Sequence, residues 1–145
     1  MKAVFADTFY WIALVNPGDL HAPAARRFDD LLSRGKICTT EEVLGEVLTF
    51  FAADRWLRSR AVETVREILS DDVVRIIPQS HESFVSEFDF YAARQDKGYS
   101  LADCVSMQTM RREGLSDVLT SDRHFEQEGF ARCSLTPDAL LFLEE

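Results

Sequence analysis

Short apolar runs alternate with longer helical patterns along most of this chain. The first run, Ala3-Val4-Phe5-Ala6, contains no polar residue, which is typical of a strand buried on both faces of a parallel sheet. Further strand candidates are residues 36–39, 73–77, 117–120 and 130–133. Because strands that alternate with helices form βα units, this order predicts an α/β fold whose parallel sheet is covered by helices on both faces.

Capping residues indicate where several of the intervening helices begin and end. Thr40 and Ser100 are N-cap candidates, and Gly35 and Gly114 stand where a helix C-terminus is expected. Acidic residues directly after Thr40 favour a helix start there, because the helix dipole stabilises negative charge in the first turn. The predicted helices cover about residues 21–33, the segment after Thr40, residues 54–69 and 80–93, and the segment from Ser100 to Gly114.

The length and composition fit one domain with a substantial core. The chain has 145 residues, of which 46% are apolar and 28% charged, so we predict a single folded domain over residues 1–145. With 16 basic and 25 acidic residues, the formal net charge is 16 − 25 = −9. This balance argues against a basic nucleic-acid-binding face and against an anionic membrane partner. It does not exclude an acidic site that binds metal ions.

Cysteine usage and the start of the chain predict a soluble, cytoplasmic protein. Cys38, Cys104 and Cys133 form no CxxC pair, and we expect three reduced, buried thiols. Asp7 interrupts the apolar start of the chain, unlike the core of a signal peptide. No apolar run approaches the roughly 20 residues of a membrane span, so no membrane association is expected.

Two acidic residues closely follow predicted strands. Asp7 comes directly after the first strand, and Asp122 comes two residues after Thr120. Because ligands of open parallel sheets bind beyond the carboxyl ends of the strands, both carboxylates are expected at the same edge. Either residue alone is more simply explained as a helix cap.

Two further acidic residues lie on predicted helices. Asp103 shares one helix side with Met107 and Met110, in a helix that is apolar nearly all round and is therefore expected to be buried. A carboxylate in that position is costly unless it caps the helix, pairs with a cation or binds a metal. Glu46 lies at the border of an apolar stripe, where an acidic side chain is usually solvated.

Taken together, these four acidic residues predict a shared site. Four carboxylates in one pocket repel each other, and protonation or a bound cation must relieve that repulsion. Mg²⁺ and Mn²⁺ prefer oxygen ligands and retain bound water, so they suit such a pocket. Metal ions held in this way can activate water and offset developing negative charge, which is the chemistry of phosphodiester hydrolysis.

The sequence around these residues resembles that of the PIN-domain ribonucleases, and within that family it is most similar to the VapC-type toxins and their stand-alone bacterial relatives. No single motif is specific, and the resemblance rests on the ordered set of four acidic residues across about residues 1–134. The matching segments are Asp7-Thr8, Glu46-Val47-Leu48, Ser100-Leu101-Ala102-Asp103 and Thr120-Ser121-Asp122-Arg123-His124-Phe125.

The resemblance implies a three-layer α/β/α fold with a central, mostly parallel five-stranded sheet. It also implies a Mg²⁺- or Mn²⁺-dependent endoribonuclease that hydrolyses single-stranded or structured RNA. Family members are commonly homodimers, and the toxins of type II pairs are neutralised by a small antitoxin encoded beside them. The implied metal-binding and catalytic residues are Asp7, Glu46, Asp103 and Asp122, with Thr8 and Thr120 as hydrogen-bonding support.

Other function classes fit the sequence less well. A phosphatase of the haloacid dehalogenase type needs a second aspartate two residues after the first, where this chain has Phe9. A receiver domain needs paired acidic residues after the first strand and a phosphorylatable aspartate two strands later, and neither is found. The alternative that stays open is a catalytically idle PIN-like module used for binding or scaffolding.

Several other residues have simple structural interpretations beside functional ones. His124 could be a catalytic base, but we expect it at the surface of a turn and short helix, and the histidines lack the spacing of a zinc site. The tail over residues 135–145 is expected to dock on the domain. Arg55, Arg58, Arg60 and Arg66 predict a solvated helix face or an RNA contact, and Arg111-Arg112 predict compensation of the helix dipole or a phosphate contact.

Aromatic residues in two segments are interpreted mainly as core. Tyr10 and Trp11, just after Asp7, are expected in the core or at a dimer contact. A second apolar cluster lies where two predicted helices join and is expected in the core, although in the family the corresponding helices commonly receive an antitoxin or a second subunit. This cluster consists of Phe50, Phe51, Trp56 and Leu57.

Overall fold

The computed structural model describes residues 3–31, 36–72 and 74–133. Within these ranges the chain forms five strands and seven helices that alternate in the predicted manner. In chain order they are β1 (Val4–Ala6), α1 (Thr8–Val15), α2 (Ala22–Leu31), β2 (Ile37–Thr40), α3 (Glu41–Phe50), α4 (Arg55–Ser70), β3 (Arg75–Ile77), α5 (His81–Ala93), α6 (Leu101–Glu113), β4 (Asp117–Leu119), α7 (His124–Gln127) and β5 (Ala131–Cys133).

The five strands form one sheet in the order β3-β2-β1-β4-β5, and all four neighbouring pairs are parallel. With helices on both faces, the architecture is the three-layer α/β/α fold that the resemblance implies. The chain runs outward from β1 to β3 and then returns to the other side of β1. The strand order therefore reverses between β1 and β4, and a ligand crevice is expected at the carboxyl ends of these two strands.

The centre of the sheet is fully buried. Val4, Phe5 and Ala6 of β1 have no exposed surface, which confirms the prediction of a strand covered on both faces. Helix α1 follows after a single residue and was not predicted from the sequence. Tyr10 and Trp11 of this helix are buried in the chain itself, so they belong to the core. Because α1 is apolar on nearly all sides, it lacks the periodic polar face by which a helix is recognised.

Capping confirms the predicted starts of α3 and α6. The Thr40 hydroxyl accepts a hydrogen bond from the Val43 amide, and the Ser100 hydroxyl accepts one from the Asp103 amide. Helix α6 ends at Gly114, whose φ of 69° lies in the left-handed region that glycine adopts readily. These local signals therefore fix the helices that carry Glu46 and Asp103.

Some predicted boundaries differ from the structure by a few residues. Helix α2 begins at Ala22, one residue later than predicted, and β3 begins at Arg75, so Val74 is not part of the strand. The predicted helix residues 32–33 lie outside the described part of the chain. The predicted C-cap Gly35, the strand residue Val73 and the docked tail over residues 135–145 lie outside the described residues.

The apolar cluster between α3 and α4 divides into a buried and an exposed part. Phe51 is buried and Leu57 is partly buried, but Phe50 and Trp56 are 64% and 59% exposed. The prediction of a core cluster is therefore wrong for Phe50 and Trp56.

All three cysteines are buried, as expected. In the described part of the chain, no helix has both the length and the apolar character needed to cross a membrane.

The arginine pair at the end of α6 binds acidic residues of the same chain. The Arg111 guanidinium donates to Glu128, and that of Arg112 donates to Glu87 over 3.1 Å. Both arginines do lie in the last turn, where they favour the helix dipole. Both side chains form ion pairs within the chain, however, so the structure does not support the predicted alternative of a phosphate contact.

Arg112 stabilises the charged form of Glu87 in the core. Its side chain has no exposed surface, and its Oε2 atom has no hydrogen-bond partner among the described residues. Replacing Arg112 by Met leaves this buried carboxylate without its cation. We therefore expect Arg112→Met to lower the free energy of unfolding by about 1–3 kcal/mol at neutral pH, as measured by urea denaturation.

The matched control is Arg66→Met, which removes an exposed arginine from α4. Adding Glu87→Gln to the Arg112 variant is expected to recover part of the loss, because a neutral amide costs less to bury than a charge. Equal stability of the Arg112 and Arg66 variants would contradict this role for Arg112.

Candidate metal and active site

The four predicted acidic residues line one cavity at the carboxyl edge of the sheet. This cavity has a volume of about 300 Å³. It lies where the strand order reverses, as expected for a ligand site of an open parallel sheet. Its lining consists of Asp7, Thr8, Phe9, Ile12, Glu46, Phe50, Ser100, Asp103 and Asp122.

Asp7 lies between β1 and α1 and is only 5% exposed. It occupies the N-cap position of α1, but its carboxylate accepts no capping hydrogen bond. It instead accepts a hydrogen bond of 2.8 Å from the Thr120 hydroxyl at the end of β4. Asp7 therefore holds the N-cap position without capping the helix through its side chain, and its carboxylate lines the cavity.

The electrostatics of Asp7 favour a cation in this cavity. Burial raises the pKa of Asp7 to about 7 from an ordinary 3.8, and the negative charges of Asp103 and Glu46 contribute to the rise. The hydrogen bond from Thr120 and the backbone of Thr8 oppose it. A buried carboxylate facing like charges is stabilised by a proton or by a metal ion.

Thr120 connects two of the acidic residues. Its hydroxyl donates to Asp7 and accepts a hydrogen bond of 3.0 Å from the Asp122 amide. One fully buried hydroxyl thus fixes the Asp7 carboxylate and the backbone that carries Asp122. This geometry is consistent with the supporting position that the resemblance implies for Thr120.

Asp103 caps the helix on which it lies. Its Oδ2 atom accepts a hydrogen bond of 3.0 Å from the Ser100 amide, while its own amide donates to the Ser100 hydroxyl. Its side chain retains only 13% exposure and lines the cavity. The capping interaction explains how a carboxylate is tolerated in the first turn of this largely buried helix.

Glu46 and Thr8 lie on the α1–α3 side of the cavity. Desolvation of the Glu46 carboxyl raises its pKa, and the charge of Asp103 adds to this effect. The Thr8 hydroxyl is near enough to lower that pKa, but it makes no hydrogen bond of good geometry with any described residue. Thr8 is only 6% exposed, so its hydroxyl is a buried polar group that lacks a partner.

His124 is a further functional candidate beside the four acidic residues. Its Nδ1 atom lies 3.2 Å from Oδ2 of Asp103 and 3.3 Å from Oδ1 of Asp122. His124 does begin the short helix α7, as expected, but its side chain is only 32% exposed and its imidazole faces both carboxylates. A local signal exists only for the backbone, because an aspartate side chain often accepts from the amide two residues later, as the His124 amide donates to Asp122 over 2.9 Å. The approach of the ring to Asp103 depends on the packing of separate segments.

The residues of the cavity suit a divalent cation, and three of them bring their potential ligand atoms closest together. Potential ligand atoms of Asp103, Asp122 and His124 lie within 4.8 Å of one another. Asp7 and Glu46 line the same cavity but lie outside this tight group. Carboxylates are ligands for Mg²⁺ and Mn²⁺, and the raised pKa of Asp7 and the unpartnered Thr8 hydroxyl both indicate a missing polar or charged ligand.

Comparisons with known proteins agree with this fold. The 23S rRNA-specific endonuclease VapC20 of Mycobacterium tuberculosis is 28% identical over 130 residues, which are 88% of this chain and 95% of that protein. The crystal structure of VapC20, described as a sarcin-ricin loop cleaving toxin, aligns with a TM-score of 0.79 at 26% identity. That alignment covers 89% of this chain and 97% of the other.

More distant structures share the fold. DNA-bound VapBC from Salmonella typhimurium aligns with a TM-score of 0.66 at 16% identity, over 94% of this chain and all of the other. FitAcB from Neisseria gonorrhoeae aligns with a TM-score of 0.62 at 17% identity, over 89% of this chain and 95% of the other. The family model of the PIN domain matches residues 4–130. Since this match covers most of the 145 residues, the chain belongs to the PIN domain family.

Proposed function

We propose that this chain is a divalent-metal-dependent endoribonuclease, the toxin of a type II toxin–antitoxin pair that acts in the cytoplasm. The observation that carries the proposal is the grouping of four carboxylates around one cavity at the carboxyl ends of β1 and β4. The similarity to an rRNA endonuclease supports RNA as the substrate. The proposed catalytic residues are Asp7, Glu46, Asp103 and Asp122.

These carboxylates would hold Mg²⁺ or Mn²⁺. A cation bound there supplies positive charge to a phosphodiester and lowers the pKa of water. Asp7 must lose its proton to act as a ligand, and Thr120 then holds the Asp7 carboxylate in place by the hydrogen bond to Oδ2. The Thr8 hydroxyl, which lines the same cavity, is available to bind a water molecule of the hydrated cation.

Apolar side chains beside the carboxylates favour unpaired RNA. Phe9 and Phe50 line the cavity and are 43% and 64% exposed. Aromatic rings stack with unpaired bases, whereas a base inside a duplex presents no free face. The chain's net charge of −9 is unsuited to tight non-specific binding of nucleic acid. We therefore propose that recognition depends on local shape and base contacts at a loop or single strand.

The same apolar side chains extend into a surface suited to a protein partner. Leu48, Phe50 and Trp56 are 37%, 64% and 59% exposed on α3 and α4. Large exposed apolar groups of this kind mark interaction surfaces in otherwise soluble proteins. We propose that an antitoxin covers this face, in line with the VapBC structure among the structural neighbours, and that the chain forms a homodimer.

RNA cleavage is the direct test of the proposed activity. Incubation with a hairpin of the sarcin-ricin loop and with unstructured RNA is expected to give cleavage that requires Mg²⁺ or Mn²⁺ and stops with EDTA. Asp7→Asn and Asp103→Asn are each expected to lower the cleavage rate by at least about a hundredfold, because each removes a negatively charged oxygen from the site. The measurement is product formation on a denaturing gel.

Asp96→Asn is the matched control, since this exposed aspartate lies outside the cavity. Cleavage that persists in EDTA and in both site variants would exclude the proposed site. Metal binding without cleavage of any RNA tested would instead favour the idle PIN-like module.

Asp7 also gives a prediction for stability as a function of pH. The folded-state pKa of about 7 exceeds the ordinary 3.8, so the unfolded chain loses this proton first as the pH rises. Relative to Asp7→Asn, the metal-free wild type should lose stability between about pH 4 and pH 7, by up to about 4 kcal/mol. Urea denaturation of both proteins across this range measures the difference.

Added Mg²⁺ or Mn²⁺ should stabilise the wild type but not Asp7→Asn, because a ligand bound only by the folded state shifts the unfolding equilibrium. The control is Asp117→Asn, which changes an equally buried aspartate at the start of β4 and should retain the metal response. A metal response of equal size in the Asp7 variant would contradict the assignment of Asp7 as a ligand.

Partner binding tests the apolar face of α3 and α4. With the small protein encoded beside this chain as the candidate antitoxin, Phe50→Ser combined with Trp56→Ser is expected to weaken the complex by at least about tenfold, because buried aromatic anchors dominate such interfaces. Isothermal titration calorimetry provides the affinity. The control is Phe88→Ser, which alters a residue that is 53% exposed on α5. Equal losses in the two proteins would place the interface elsewhere.

A further inference from the structure

The imidazole of His124 lies in direct contact with two of the candidate metal ligands. Its Nδ1 atom is almost equidistant from Asp103 Oδ2 and Asp122 Oδ1, at 3.2 and 3.3 Å. Without a metal ion, Nδ1 hydrogen-bonds to Asp103 Oδ2, and the His124 amide donates to the same Asp122 oxygen that faces the ring. Two carboxylate oxygens and one imidazole nitrogen within 4.8 Å of one another form a compact set of metal ligands.

Neighbouring residues determine which ring nitrogen faces the cavity. The Tyr99 ring packs against the imidazole with 5.3 Å between ring centroids. On the opposite edge of the imidazole, a Cβ atom placed on Gly98 would lie 3.6 Å from Nε2. The segment Gly98–Tyr99 therefore holds the ring with Nε2 directed away and Nδ1 directed towards the acidic residues.

Tyr99 is in turn held by a buried ionic network. Its hydroxyl donates to Glu128 over 2.9 Å, and Glu128 also accepts from Arg94 and Arg111. Burial raises the pKa of Glu128, but these hydrogen bonds outweigh that effect and lower it overall, so the charged form of Glu128 is favoured. The orientation of His124 is thus fixed by packing against an anchored side chain, as for ligands of preorganised metal sites.

A second feature of the same cavity is a buried hydroxyl group beside the acidic residues. The Thr8 hydroxyl lies close enough to Glu46 to lower the pKa of that carboxyl, but it makes no hydrogen bond of good geometry with a described residue. Leaving such a group unsatisfied is costly. A hydrated cation supplies partners for hydroxyl groups as well as charge for carboxylates.

We propose that Nδ1 of His124 is a direct ligand of the cation held by Asp103 and Asp122. The site then contains nitrogen and oxygen ligands and favours Mn²⁺ and Co²⁺ over Mg²⁺, because imidazole binds transition metals better than it binds Mg²⁺. This inference rests on the proposed function, since it concerns the cation of that same site. It adds a ligand and a metal preference to the four carboxylates.

The test separates a metal ligand from a residue that only positions its neighbours. Asparagine can donate a hydrogen bond from about the place of Nδ1, and its amide oxygen can replace the imidazole for Mg²⁺ but is a weaker ligand than imidazole for Mn²⁺ and Co²⁺. His124→Asn is therefore expected to weaken the binding of Mn²⁺ and Co²⁺ by at least about tenfold. The affinity for Mg²⁺ should change by less than about threefold. Calorimetric titration of metal-free protein with each ion measures these affinities, and His81→Asn, at an exposed histidine of α5, is the control.

A spectroscopic measurement gives the second readout. In wild-type protein loaded with Mn²⁺ and labelled with ¹⁵N-histidine, pulsed electron paramagnetic resonance is expected to detect coupling between the ion and one imidazole nitrogen. This coupling should be absent in His124→Asn and present in His81→Asn. Circular dichroism and urea denaturation establish that both variants fold.

The inference is overturned if Mn²⁺-loaded wild type has no nitrogen coupling, or if His124→Asn changes the affinities for Mg²⁺ and Mn²⁺ by the same factor. Failure of the proposed function has a different outcome. Loss of metal response in Asp7→Asn together with Mg²⁺-dependent RNA cleavage by the wild type would support the nuclease even where the histidine assignment fails. Absence of both would reject the nuclease site itself.

Discussion

The hydrogen bond from the Thr120 hydroxyl to the Asp7 carboxylate joins residues that are 113 positions apart in the chain. It is possible because β1 and β4 pair in parallel, with Ala6 opposite Leu119, so that both strands end at the same edge of the sheet. The following residues then meet over the crevice where the strand order reverses. The candidate site depends on this pairing, since α1, α3 and α6 only complete a cavity whose base the two strands set.

The fold holds these carboxylates together at the expense of its own stability. Burial and like charge both raise the pKa of Asp7, which means that its charged form is disfavoured in the metal-free cavity. Burial also raises the pKa of Glu87, but Arg112 of the same chain binds this carboxylate and opposes the rise. Glu87 therefore has a cationic partner within the chain, whereas Asp7 faces further carboxylates.

The sequence is sufficient to predict the fold class and the four acidic residues, because strands, caps and strand-end acids are local signals. Thr40 and Ser100 mark helix starts correctly, and their helices carry Glu46 and Asp103 into the cavity. Helix α1 was missed because a helix buried on nearly every side has no polar face to reveal its period. The position of His124 was missed because it depends on contacts between segments, with Tyr99 on one side and Asp103 on another. The exposure of Phe50 beside the buried Phe51 likewise depends on how α3 and α4 pack.

One oxygen atom of Asp103 serves two structures. Oδ2 accepts the hydrogen bond from the Ser100 amide that closes the capping box of α6, and it is also the oxygen nearest to His124. Any group that draws electron density from this oxygen weakens its bond to the start of the helix, and a stronger cap withdraws charge from the cavity. The capping box in the first turn of α6 therefore shares an oxygen atom with the acidic cavity. Ser100 carries no charge, yet it both lines the cavity and makes two hydrogen bonds with Asp103, so it links the start of α6 to this carboxylate.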